Sequence, residues 1–165
     1  THANLGDDII YSGTVAAATE GRHLGLPAIA VSLVNEGRFH YETAAQVARC
    51  LLENPHTLTL GPRSILNVNV PDVPWEELAG FCITRLGHRE RAEGVVPVTC
   101  PRGKERYWIG AAGRGGDAGP GTDFYAISQK CVSITPVHTD MTRHAALPEL
   151  KSWLEGLDGV EVVDQ

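Results

Sequence analysis

Ser12-Gly13-Thr14 is the triplet best equipped for chemistry, standing between Asn4-Leu-Gly-Asp-Asp-Ile-Ile-Tyr11 and the Ala-rich run Val15 to Leu24. The pattern predicts a loop that delivers the triplet to a helix start. Such a start leaves several N–H groups without carbonyl partners and carries the positive end of the helix dipole, which suits an anion. Gly13 lacks a Cβ and admits close approach of a ligand to the backbone. Ser12 and Thr14 are hydroxyl donors, and Asn4 is a further amide donor. The competing reading is that Ser12 or Thr14 only caps the helix. Local chemistry leaves both readings open.

Other constellations carry weaker signals. Asp7-Asp8 has the hard oxygens that suit Mg²⁺ or Mn²⁺, but neighbours in extended chain point opposite ways. A structural role for the pair is favoured, with Asx-type hydrogen bonds orienting the loop. His138, Asp140 and His144 invite an acid–base reading. No nucleophile stands at a fitting position, so a salt bridge or cap is favoured. Glu20, Arg22 and His23 read as a surface ion-pairing group. Asn67 and Asn69 alternate with Val68 and Val70 and face one side of a strand, either lining a site edge or buried and satisfied by backbone. Gly113-Arg-Gly115-Gly-Asp-Ala118 matches a dinucleotide fingerprint by letter only. Gly119-Pro120-Gly121 follows where the motif needs a helix, so a flexible loop is expected.

These residues need elements to hold them. The sequence predicts a helix over 14–24 ended by Gly25, then a buried strand Ala28–Val34. A helix over 41–54 follows, with Ala44, Ala45, Ala48, Leu51 and Leu52 on one face and Pro55 as its stop. Ile65–Val70 reads as a strand ended by Pro71. Alternating strands and helices imply an α/β layered, Rossmann-like fold with a mostly parallel sheet. Residues 80–86 and 106–109 read as strands, and the stretch 79–131 as a β-hairpin extension. Residues 132–137 return as a strand, with Pro136 near an edge or bend. Leu147, Leu150, Trp153, Leu154 and Leu157 then form an apolar helical stripe. The division expected is 1–78 for the core, 79–131 for the extension and 132–165 for the returning strand and C-terminal helical arm.

The bounds narrow the function. A chain of 165 residues suits one domain. A net charge of −6 argues against a nucleic-acid polymer as partner. A phosphate ligand would then need local donors or a metal. The cysteines Cys50, Cys82, Cys100 and Cys131 are far apart in sequence with no CxxC pair. Reduced, buried thiols in a cytoplasmic protein are expected. No apolar run approaches the roughly 18–20 residues of a membrane span.

Asn4-Leu-Gly-Asp-Asp-Ile-Ile-Tyr-Ser-Gly-Thr-Val-Ala-Ala-Ala-Thr-Glu-Gly-Arg22, continuing to Leu33, resembles the SurE family of metal-dependent 5′/3′-nucleotidases. The resemblance continues in order through 64–74, 106–110, 121–127 and 132–142, nearly the whole chain. It implies a phosphomonoesterase acting on nucleoside 5′- and 3′-monophosphates, with short polyphosphate as an extension of its range. It implies Mg²⁺ or Mn²⁺ held by ligands upstream of Thr1, the sequence corresponding to the C-terminal two-thirds of a longer protein. His2 stands where the family has Gly and is expected to be exposed rather than a ligand. The implied phosphate-binding residues are Asn4, Ser12, Gly13 and Thr14; the catalytic nucleophile is not identified. The hairpin and arm imply a homodimer or homotetramer. The alternative is a non-catalytic, phosphate-binding oligomerisation module, since the metal-ligand segment is absent.

Overall fold

The apolar strand runs and the helices between them assemble around one sheet. The computed structural model describes residues 3–34, 36–53, 61–110 and 113–163. Gly6–Tyr11 forms a 3-10 turn, followed by helix α1 (Gly13–Gly21) and a 3-10 turn over Arg22–Leu24. Gly25 ends it in the left-handed region, φ 79°. Strand β1 (Ile29–Val34), helix α2 (Tyr41–Leu52) and strand β2 (Ser64–Pro71) come next. The chain continues through β3 (Gly80–Ile83), β4 (His88–Arg89), β5 (Val96–Thr99), β6 (Glu105–Trp108) and β7 (Gly115–Asp117). It closes with α3 (Asp123–Ser128), β8 (Cys131–His138) and α4 (Leu147–Glu155). The expectations for His2, Asn54 and Pro55 fall outside the described residues.

The main sheet has the order β1-β2-β8-β3. β1 and β2 are parallel, as are β3 and β8, while β2 and β8 are antiparallel. The fold is therefore the expected layered α/β type with a mostly parallel sheet. Val68, Val70, Leu66 and Val132 pack with Val47 of α2 on one face. Ala30 and Ile65 pack with Val15 of α1 on the other. The first face is continuously aliphatic. The second is mixed, because β2 alternates Ile65, Asn67 and Asn69 there, opposite Val137, Thr135 and Ser133 of β8.

Four expectations change. Gly80–Ile83 belongs to the main sheet, and α3 packs against β8. The part of 79–131 that stands apart is thus the β5–β6 hairpin, whose strand residues are all exposed. On α2 the buried face centres on Thr43 and Val47, with Ala44 and Leu51 beside them, while Leu52 is 73 % exposed. The helix is turned so that Val47, not Ala45 or Leu52, meets the strands. Of the four thiols none is buried, and Cys50 is exposed. Gly115–Asp117 is a strand paired with β4 rather than part of a flexible loop. A Cβ on Gly113 would lie 2.1 Å from the Glu90 carbonyl oxygen, so this glycine permits the close pass of two extended segments. Pro136 lies within β8, beyond the last β3 pair at Ile83–Ile134, so its missing N–H faces no strand on that side.

Candidate functional site

The start of α1 is assembled as the sequence predicts. Ser12 has extended backbone, φ −84° and ψ 121°, and its Oγ accepts from the Val15 N–H at 3.2 Å. The cap is present, and the hydroxyl hydrogen is still available to donate elsewhere. Gly13 and Thr14 are exposed. Their N–H groups belong to the first turn, where no earlier helical carbonyl faces them. The space in front of Gly13 is open, since an added Cβ would meet nothing within 4 Å.

Asn4 faces inward instead of toward a ligand. It is 3 % exposed, and its Nδ2 donates to Ser32 Oγ at 2.5 Å. Its backbone N–H donates to Asn69 Oδ1 at 3.1 Å, and its carbonyl accepts from Asn67 Nδ2 and Asn69 Nδ2, both at 2.8 Å. The alternation of amides on β2 therefore resolves as a buried clamp on Asn4. Burying these amides is tolerable because they are bonded. Asn67 Oδ1 alone is buried without a protein partner among the described residues.

A second anchor was not singled out from sequence. Asp123, fully buried, accepts from Gly6 N–H at 2.6 Å and Gly87 N–H at 2.9 Å through separate oxygens. Thr122 caps α3 beside it, accepting from Tyr125 N–H. Gly6 has φ 52°, and a Cβ there would lie 2.7 Å from the Phe124 ring and 2.8 Å from the Gly87 carbonyl oxygen. The only signal in the sequence was the cap pattern Thr122-Asp123 before a short apolar run.

The remaining candidates separate. Asp8 pairs with Arg89 Nε and Nη2, both at 2.8 Å, and that guanidinium lies 5.1 Å from the Phe124 ring centroid. Asp7 is exposed. The aspartates thus diverge, and among the described residues no three His, Cys, Asp or Glu side chains converge as a metal site. Asp140 bonds Arg63 Nη1 and His144 Nε2, each at 2.9 Å, and accepts from Thr142 N–H. His144, then Thr142, hold its carboxyl well below the usual carboxylate range. This is an ion-pair knot at the base of the C-terminal segment, as the favoured sequence reading has it.

Asp72, which the sequence marks only as one residue of the stretch 64–74, organises the loop after β1. Its carboxylate accepts from the N–H groups of Glu36, Arg38 and Phe39 through Oδ2, and from that of His40 through Oδ1. His40 Nδ1 adds a 3.0 Å contact. Burial pushes the carboxyl up, and the backbone donors of His40, Arg38 and Glu36, with the imidazole, more than reverse that, holding it well below the usual range.

A layered α/β sheet with an exposed helix start, preceded by a loop that buried amides tie to the strands, is the class this architecture defines. Within it, the chain belongs to the SurE family: the family model described as "Survival protein SurE" matches residues 1–93. It is 78 % identical over 158 residues to the "5'-nucleotidase SurE" of Marinobacter nauticus, spanning 96 % of this chain and 62 % of that protein. It is 58 % identical over 156 residues to the protein of the same name from Halorhodospira halophila, spanning 94 % and 62 %. The chain thus spans about 62 % of the length of these curated relatives. The crystal structure of the SurE protein from Aquifex aeolicus superposes with a TM-score of 0.76 at 38 % identity, over 92 % of this chain and 61 % of that one.

Proposed function

We propose that this chain is the larger part of a phosphomonoesterase that hydrolyses nucleoside monophosphates, and that its contribution is the phosphate cradle. The observation that carries the reading is the exposed Gly13-Thr14 start of α1 with the half-buried Ser12 as its cap, reached by a loop that Asn4 and Gly6 pin to the protein interior. The relatives named 5'-nucleotidase support the substrate class. The N–H groups of Gly13 and Thr14 and the hydroxyls of Ser12 and Thr14 hold phosphoryl oxygens and stabilise charge that develops on them. Asn4 acts as a positioning residue, because its amide is engaged with Ser32. Hydrolysis of 3′-monophosphates and short polyphosphate extends the same proposal, since the cradle recognises phosphoryl oxygens rather than the sugar position.

The residues described do not form a site for the Mg²⁺ or Mn²⁺ that the family resemblance implies. Of the carboxylates that stand nearest the cradle in sequence on its amino-terminal side, Asp8 is paired with Arg89 and Asp7 is exposed. Ligands upstream of Thr1 are part of the proposal, and no step is assigned to the cation. The exposed stripe of α4 and the exposed β5–β6 hairpin support assembly into a homodimer or homotetramer. No helix among the described residues is long and apolar enough to cross a membrane. A cytoplasmic location is proposed on the free thiols.

The test compares residues 1–165 with the same chain extended upstream, assaying 5′-AMP with Mn²⁺ or Mg²⁺. The extended protein is expected to turn over AMP in a chelator-sensitive way, and the shorter chain to show essentially none. Chelator-sensitive turnover by residues 1–165 would overturn the assignment of the metal ligands and make Asp7 and Asp8 the first suspects. Phosphate binding without turnover by the extended protein would favour the non-catalytic module.

A further inference from the structure

We propose that Arg89 is a positioning residue for the phosphate cradle, acting through Asp8 on the turn that presents Ser12; this rests on the phosphate-binding reading above. The turn Gly6–Tyr11 leads directly into the start of α1. Asp8 N–H donates to the Leu5 carbonyl at 3.1 Å, and the carbonyl of the next residue, Ile9, accepts from Ser12 N–H at 3.2 Å. Where the Asp8–Ile9 backbone lies, the Ser12 cap and the N–H groups after it must follow. The turn is lightly held by itself. A 3-10 turn has poorer hydrogen-bond geometry than an α-helix. Ile9 packs beside Val15, while Asp7, Ile10 and Tyr11 are exposed. Contacts from elsewhere in the chain therefore decide where the turn sits.

Arg89 supplies a polar one. Its Nε and Nη2 both reach Asp8 Oδ2 at 2.8 Å, and its Nη1 donates to the Gly113 carbonyl at 3.2 Å. The guanidinium also lies 5.1 Å from the Phe124 ring centroid. It is thus fixed against three segments: the turn, the chain entering β7 and the first turn of α3. An exposed ion pair is worth little, because ordering two long side chains costs entropy. Here the Arg89 and Asp8 side chains are only 26 % and 27 % exposed, and Gly113 and Phe124 already order the arginine. The rigid guanidinium fork makes these contacts together, which a lysine ammonium does not. Asp123 holds both Gly6 and Gly87, the residue before β4. The Gly6 and Asp8 positions of the turn therefore rest on one packed unit.

The test uses the intact, upstream-extended protein, with inorganic phosphate binding measured by calorimetry and amide hydrogen exchange reporting on the turn. At a temperature where the variant is folded, Arg89→Ala is expected to raise the phosphate dissociation constant about ten-fold. Arg89→Ala combined with Asp8→Asn is expected to match Arg89→Ala, since the two residues act as one pair. A further ten-fold loss in that combination overturns action through Asp8. Ser12 N–H is expected to exchange about ten-fold faster in Arg89→Ala, measured against Val68 N–H in the same protein, because only the first depends on the turn. Unchanged Ser12 exchange overturns the proposal. So does unchanged phosphate affinity in Arg89→Ala when Ser12→Ala combined with Thr14→Ala weakens it. If that Ser12 and Thr14 variant binds phosphate as the wild type does, the cradle reading falls. Faster Ser12 exchange in Arg89→Ala then upholds Arg89 as the residue that positions the α1 start, and unchanged exchange overturns it.

Discussion

Asp72 is buried and charged, a combination that is stable only with its oxygens fully hydrogen-bonded. It meets that condition through backbone N–H groups, so it sets loop geometry independently of the side chains the loop carries. Its folded-state pKa is depressed. The stabilisation is therefore complete above the ordinary carboxylate range, near pH 4, and is lost as pH falls through the lower folded value. Asp72→Asn keeps one carbonyl acceptor, loses the charge and the second acceptor, and should cost on the order of 3 kcal/mol at neutral pH. Denaturant midpoints from pH 6 down to pH 3 should fall less steeply in the variant than in the wild type; parallel profiles would remove Asp72 from the acid response. Gly6→Ala should cost roughly 2 kcal/mol or more, from a left-handed φ and a collision with Phe124 and Gly87. A wild-type melting temperature for Gly6→Ala would show that this loop relaxes more easily than its two anchors suggest. Asn67 and Asn69 were recognisable in the sequence as a same-face pair, because strand alternation is rigid. Their partner was not, because the contact to Asn4 joins residues 63 and 65 positions apart.

At the level of elements, local chemistry was most readable where one rule dominated. Gly25 and the Ser12 cap mark α1, and the apolar runs mark β1 and β2, because turn residues and continuous burial leave little choice. The orientation of α2 was less readable. Its apolar residues wrap widely enough to permit several faces, and packing of Val47 against Val68 and Val70 chooses one. The membership of β3 in the main sheet was unreadable for a related reason. Its pairing with β8 is non-local, and Phe81 and Ile83 remain exposed, so no buried strand signature marks it. The same pairing brings Cys82 beside Cys131, where burial, then the Cys82 thiol, pushes the Cys131 thiol up. α1 supplies its own prediction. Ser12→Ala removes the acceptor for Val15 N–H and should cost about 1 kcal/mol in denaturant unfolding without ligand. Added phosphate should then stabilise the variant less than the wild type, whereas a cap with no ligand role would leave that increment unchanged.

For the whole molecule, the apolar surface is the feature that one copy leaves unresolved. Leu147 and Leu150 are each 49 % exposed and Trp153 is 60 % exposed, along one stripe of α4. Burying such a stripe against a second copy gains roughly 25 cal/mol per Å² of apolar area. Truncation after His144 should therefore lower the number of subunits per particle measured by sedimentation, and an unchanged number would exclude α4 as a bridge between subunits. The central claim, that the α1 tip holds the phosphoryl group, is tested most directly by inhibition of the intact protein with inorganic phosphate or vanadate. Ser12→Ala combined with Thr14→Ala removes two hydroxyl donors to a charged oxygen. The inhibition constant should rise by the equivalent of on the order of 3 kcal/mol, more than a hundred-fold. An unchanged inhibition constant in a folded double variant would contradict the account and return Ser12-Gly13-Thr14 to helix capping.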